Sequence, residues 1–254
     1  MSIHYEQGLR LASRRRRTER LMLVAGLALA AWALREYRWE VVVEAAPLLL
    51  SSLWNSWILT LASVGIGLPV GIVLALCRRN GPRPVRMLAA ALVEVVRATP
   101  QLMVIFWVYF AVPSLTGVRI PSWPAAILSL SIIAAAYLAE VVRGGLNAVP
   151  AVLIESAWAT GLSRFQVFMH VVIPQALRVM IPSLISHIVM MFKITSLIYI
   201  VGITDFFRAI VLINNRVFEP VPLYVTMAAG YFLCCYAFSR LLRRFDQAPQ
   251  LPSS

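Results

Sequence analysis

The chain has 254 residues, of which 60% are hydrophobic and only 13% charged, with a mean hydropathy of +0.79. Soluble domains carry about a quarter charged residues, so this composition excludes an ordinary soluble domain and points to a chain that crosses a membrane several times. The formal net charge of +12 would by itself permit a nucleic-acid partner, until the charges are placed along the chain.

In chain order, Arg14–Arg17 lead into an apolar run, Leu21–Leu34. Basic-then-apolar order imitates a signal peptide, but Arg35, Glu36, Tyr37 and Arg38 follow with no small-residue cleavage region. A retained first helix within an N-terminal segment 1–50 is expected, with cleavage as the alternative. Leu48–Cys77 is longer than a bilayer core of about 30 Å requires, so it must tilt or kink, and Gly65, Gly67, Pro69 and Gly71 mark where a kink would fall. A basic loop, Arg78–Arg86, comes next. Met87–Val112 is interrupted by Glu94 and Arg97, and Thr99-Pro100 predicts a break between a short helix ending at Ala98 and a span beginning at Pro100. Trp123–Val142, Val179–Ile203 and Pro220–Ser239 complete the set. The fold class is an all-α polytopic membrane bundle of about six transmembrane helices. Residues 51–245 form its main domain and 246–254 a tail.

Arginine and lysine in short loops stay on the cytoplasmic side. With the N-terminus inside, sixteen of the 23 basic residues fall in the inner segments 1–20, 78–86, 143–178 and 240–254, against five in the outer ones. Topology therefore accounts for the basic excess without nucleic acid, and both termini are expected in the cytoplasm.

The inner segment 147–175 is half polar. Ala151–Thr160 suits a helix, Gly161 supplies a left-handed stop, and Ser163 with Gln166 has capping-box spacing. A second helix follows, with Leu162, Phe165, Phe168, Met169 and Val172 placed on one side and Pro174 limiting its regular hydrogen bonding. This reads as a helix-turn-helix on the inner face. Physics alone leaves two covers for its aromatic side, lipid or another protein.

Ionisable groups at membrane depth face protein or water. Glu94 and Arg97 are spaced for an i, i+3 pair, and Arg97 and Thr99 flank the predicted break, where freed backbone groups can line a cavity. Glu140 lies one turn from Tyr137, either clamped to Arg143 or meeting a substrate ammonium. Lys193, Thr195 and Ser196 either suit a carboxylate or are a snorkelling lysine with hydroxyls bonded back to the helix. His170 and His187 read as structural. The tryptophans at 32, 39, 54, 57 and 123 read as interfacial belts, and Cys77, Cys234 and Cys235 as small apolar fillers with no metal spacing.

Glu155-Ser156-Ala157, with Gly161 four residues on and Ile173-Pro174 beyond, resembles the EAA coupling motif of ABC importer permeases. Val96–Leu102, Ala135–Pro150 and Lys193–Phe207 resemble the polar amino acid branch of that family, in the same order and spacing, and the resemblance covers roughly 51–245. The last stretch is worded most like permeases for glutamate and aspartate. The sequence departs from the family pattern at Val152-Leu153, at Ser156 and at Ile194.

The resemblance implies a five-helix core and a transport subunit of the bacterial inner membrane. Its coupling residues Glu155, Ser156, Ala157, Gly161, Phe165 and Pro174 would seat in a groove of a separate cytoplasmic ATP-binding subunit. A second permease subunit (the same chain or another) and an external solute-binding protein would complete the assembly, in membrane lipid. No G-x-x-x-x-G-K-[ST], H-E-x-x-H or G-x-S-x-G sequence occurs, so ATP hydrolysis and hydrolase chemistry are not expected of this chain. ATP and magnesium would belong to the ATPase and no cofactor to this subunit. An ATP-independent channel or a recruiting scaffold is the alternative.

Overall fold

A computed structural model describes residues 35–243. The expected first helix, most of segment 1–50 and the 246–254 tail lie outside the described residues. Lipid offers no partner for a free backbone amide, so a spanning chain satisfies its amides within helices. Among the described residues every regular element is helical: α1 (Glu40–Glu44), α2 (Ala46–Asn80), α3 (Arg83–Ala98), α4 (Gln101–Thr116), α5 (Ser122–Asn147), α6 (Ala151–Ala159), α7 (Arg164–Val201), α8 (Phe206–Val217) and α9 (Pro220–Arg243).

Four of these, α2, α5, α7 and α9, are long and apolar enough to cross a membrane. The α3–α4 pair makes a fifth crossing if its two members are taken together, bent by 108° at Thr99-Pro100. The predicted break is therefore present. Proline at 100 removes an amide donor and pushes Thr99 into the extended region, at φ −84° and ψ 137°.

The centre of the bundle is the α2–α5 pair. Along α2 the buried positions Ser52, Ser56, Thr60, Ser63, Gly67, Gly71 and Ala75 recur every three or four residues, a spacing that puts them on one stripe. Small side chains there let two helix backbones approach closely. A Cβ on Gly67 would meet Ala134 Cβ at 2.7 Å, and one on Gly71 would meet the Ala135 carbonyl oxygen at 2.9 Å. α2 is one continuous helix of 35 residues through Pro69, and Gly67 and Gly71 serve contact with α5.

Three apolar clusters are strung along this pair. Leu59, Ile105, Leu130, Ile133, Met191 and Ile198 form the middle one. Ala75, Val142, Leu146, Val167, Val172 and Ala176 close the end that carries α6 and the start of α7, here called the hairpin end. Val41, Leu49, Phe206, Ile210 and Leu223 close the opposite end. Trp57 also packs against the bundle: its ring stacks on Phe192 at 4.5 Å and lies 5.3 Å from Phe238, tying α2 to α7 and α9.

Overfilling a packed interface costs about 1–3 kcal/mol. Gly67→Val is expected to lower the melting temperature of the detergent-purified chain, whereas Gly65→Ala, which meets nothing within 4 Å, leaves it unchanged or higher. Fluorescence-detected size exclusion after heating measures both.

Candidate functional site: a rigid hairpin beside a charged cluster

The hairpin is built as local chemistry dictates. α6 ends at Ala159 with Thr160 as its C-cap, and Gly161 takes φ +83°, which a residue with a side chain adopts only under strain. Ser163 Oγ then accepts from the Gln166 amide at 3.3 Å, while Gln166 Oε1 accepts from the Ser163 amide at 2.8 Å, the reciprocal cap that the sequence predicts.

Two expectations are corrected. The second arm is not a separate short helix lying on the inner face, nor does the following span begin near Val179. α7 runs from Arg164 to Val201 as one 38-residue helix. Pro174 withholds one hydrogen bond, and the five residues before Ile173, Phe168–Val172, widen into a π-turn that carries the helix past it. Nor do the five expected residues share a face. Leu162, Val167, Phe168, Val171 and Val172 turn inward onto α5, whereas Phe165 is 67% exposed and Met169 is exposed beside it. On α6, Trp158 is 51% exposed, Val152 and Leu153 are exposed, and Glu155, Ser156 and Gly161 face outward. Ala157 and Ile154 pack inward instead. The hairpin is anchored on one side and bare on the other.

One turn deeper, the side chains of Arg78 (α2), Glu94 and Arg97 (α3), and Glu140 and Arg143 (α5) converge. Arg78 donates to Glu140 Oε1, and Arg143 Nη2 and Nε donate to Glu140 Oε2 at 2.6 and 3.1 Å. Arg97 Nη1 stands 3.6 Å from both Glu94 Oε1 and Glu140 Oε1, and Arg78 Nη2 is 3.8 Å from Glu94 Oε1. Three guanidiniums against two carboxylates leave one positive charge in excess. Arg97 also lies over the Tyr137 ring, 5.7 Å from its centroid, and Tyr137 stacks with buried His187 at 5.9 Å. Both the Glu94–Arg97 pair and the Glu140–Arg143 clamp read from the sequence are present. The partner that sequence reasoning missed is Arg78, read only as a loop cation. The signal was available, since Glu140 stands where an unpaired charge is costly and Arg78 closes the neighbouring span.

The remaining expected pathway residues stand apart from this cluster. Thr99 Oγ1 donates to the Val95 carbonyl. Thr195 is fully buried and donates to the Phe192 carbonyl at 2.8 Å, and Ser196 donates to the Lys193 carbonyl at 2.8 Å. Lys193 is exposed and makes no ion pair among the described residues. α7 winds into a 3-10 turn over Thr195–Val201 and stops at Gly202, φ +92°.

Asp205, also missed, opens α8. Its carboxylate accepts from the Phe207 and Arg208 amides at 3.2 and 3.0 Å, while Ser56 Oγ on α2 accepts from the Phe206 amide at 3.1 Å. Three free amides of a helix start are satisfied in this way. Burial pushes the Asp205 carboxyl from 3.8 up to about 6, with the amide donors opposing the shift.

Residues 67–250 match the family described as binding-protein-dependent transport system inner membrane component. The chain belongs to that family. Its members are the membrane permease components of ABC transporters, with the ATPase on a separate subunit. The glutamate/aspartate import permease GltK of Escherichia coli O6:H1 is 30% identical over 214 residues, covering 82% of this chain and 96% of the relative. A probable glutamine ABC transporter permease, GlnP of Bacillus subtilis, is 31% identical over 204 residues, 78% and 93% of the two chains. A crystal structure of an amino acid ABC transporter with histidines superposes with a TM-score of 0.78 at 30% identity, covering 83% of this chain and 98% of that one. The permease is thus an ABC-type membrane subunit related in sequence and fold to amino acid transporters.

Two outcomes are expected. Glu140→Gln strands three arginines around one remaining carboxylate and lowers stability by up to about 3 kcal/mol, whereas Glu94→Gln, at a side chain 61% exposed against 17% for Glu140, costs less than about 1 kcal/mol; thermal unfolding in detergent ranks the two. For Asp205 the native carboxyl binds its proton more tightly than the unfolded one, so its contribution is full below about pH 4 and lost as pH rises to about 6. The melting temperature of the wild-type permease should therefore fall relative to Asp205→Asn across that window.

Proposed function

We propose that this permease carries a polar amino acid inward across the bacterial inner membrane, with glutamate or aspartate the leading candidates, and that its hairpin receives the force of a cytoplasmic ATPase. The hairpin end faces the cytoplasm, together with both termini. Glu155, Ser156, Gly161 and Phe165 form the docking surface, Ala157 holds α6 against the bundle, and Pro174 sets the join between hairpin and span. The observation that carries this reading is the two-sidedness of the hairpin. Its inner side is fixed to α2, α5 and α7 by one apolar cluster, and its outer side presents Trp158 and Phe165 bare. A lever needs that combination: a surface for a partner to push and a stiff attachment behind it.

Arg97, Thr99, Tyr137 and Glu140 on one side of the bundle, and Lys193, Thr195 and Ser196 on another, are the groups assigned to the substrate's route. The excess cation of the charged cluster and the unpaired Lys193 suit carboxylates, which is the support for an acidic substrate; the names of the relatives support an amino acid. A second permease subunit and an external solute-binding protein complete the transporter, while ATP and magnesium are held by the ATPase.

Gly161→Pro tests the lever. Proline fixes φ near −65° where the turn holds +83°, and it removes the Gly161 amide that donates to the Trp158 carbonyl at 3.0 Å. In proteoliposomes holding permease, ATPase and binding protein, ATP-dependent uptake of labelled glutamate, aspartate or glutamine should fall at least about tenfold, the loss a 1.4 kcal/mol defect produces. Normal uptake by that variant would refute the docking role, and uptake by the wild type without ATP would establish a channel instead.

A further inference from the structure

A cavity of about 260 Å³ opens between α2, α5 and α7 at the hairpin end. Its walls are wholly apolar and include Leu68 and Leu76 on α2, Leu146 on α5, and Phe168, Ile173 and Leu184 on α7. The lining extends eight residues along α2 and eleven from Ile173 along α7, about 12–16 Å at the helical rise. It is therefore a furrow parallel to the spans, with the proportions of a hydrocarbon chain. Ile72 and Leu177 at its lips are exposed, so it opens sideways on the apolar flank of the bundle.

Two arginines stand at the hairpin end of this furrow, each one helical turn beyond a lining residue. Arg79 lies three residues after Leu76 and donates to the carbonyl of Leu146 at 3.1 Å, which fixes its guanidinium at the mouth with donors to spare. Arg164 lies one turn before Phe168, whose amide donates to the Arg164 carbonyl. Both side chains are exposed, and neither takes part in the charged cluster of Arg78 and Glu140. An apolar trough capped by two cations at one end complements a molecule with a long apolar tail and an anionic head.

We infer that this furrow is a binding site for an anionic phospholipid, one acyl chain lying along Leu68–Leu76 and Ile173–Leu184 and its phosphate held between Arg79 and Arg164. The same residues, Leu146, Phe168 and the cluster behind them, anchor the hairpin. A bound lipid would therefore stiffen the joint between hairpin and spans. The site is independent of which amino acid is carried.

The test uses the assembled transporter in nanodiscs of equal phosphatidylglycerol and phosphatidylcholine, with co-purified lipid counted by native mass spectrometry after gentle release. The wild type should retain phosphatidylglycerol in preference to phosphatidylcholine. Each of Arg79→Gln and Arg164→Gln should cut that preference about fivefold, the effect of one basic residue at an anionic membrane surface. Leu177→Trp, at the lip, should lower total retained lipid while leaving the elution volume of the complex unchanged. Equal retention of the two lipids by the wild type, or a preference that survives both arginine substitutions, overturns the inference. So does a Leu177→Trp variant that retains its lipid but loses its second permease subunit, because the furrow would then be a subunit contact.

Discussion

The close approach of α2 and α5 is the constraint on which the rest of the bundle depends. In lipid there is no hydrophobic drive to bring helices together, so packing contact and backbone proximity must do it. Serine, threonine, glycine and alanine every three or four residues along α2 allow that proximity. Each later feature is positioned by it. Arg78 emerges from the end of α2 directly beside Glu140 of α5, Asn55 donates to the Thr204 carbonyl at 3.0 Å, and Ser56 receives the first amide of α8. A bulkier stripe would separate the two helices and disperse both ends of the molecule at once.

That stripe also gives Gly67 and Gly71 a role other than the kink that the sequence suggested. Glycine and proline within an apolar segment are rightly suspected of bending a helix, and at Thr99-Pro100 the suspicion holds. At Gly67 and Gly71 the same residues mean something else, because a glycine that admits a neighbour and a glycine that permits a kink look alike without the neighbour. Spans, the break and the capping box were legible because each depends on residues a few positions apart. The partners of Glu140 were only half legible: Arg143 is one turn away on the same helix, whereas Arg78 is 62 positions away on another. Asp205 escaped notice for the same reason, its burial being set by α2 and α9 and not by its own neighbours.

The hairpin shows the limit from another side. The turn at Gly161 and the cap at Ser163 were readable, but the orientation of the second arm was not. Periodicity at 3.6 residues put Phe165, Phe168 and Val172 together, and the π-turn before Pro174 rotates the later residues of the arm, so that Val172 is buried while Phe165 stands clear. An assignment made from an ideal helix will misplace residues wherever proline has forced a wider turn. Here that error hid the feature of most interest, because the aromatic residue turned away from the core is the one free to meet another protein.

The composite winding of α7 has a consequence for how far its two ends can move. Wide coils at Phe168–Val172 and tight coils over the seven residues Thr195–Val201 bracket the regular stretch. A tight coil advances about 2.0 Å per residue and a regular one about 1.5 Å, so rewinding that seven-residue terminus alone would alter the rod's length by about 3.5 Å. Such a change of pitch would also turn the terminus about its own axis, so it requires Ile198 and Val201 to repack within the middle cluster.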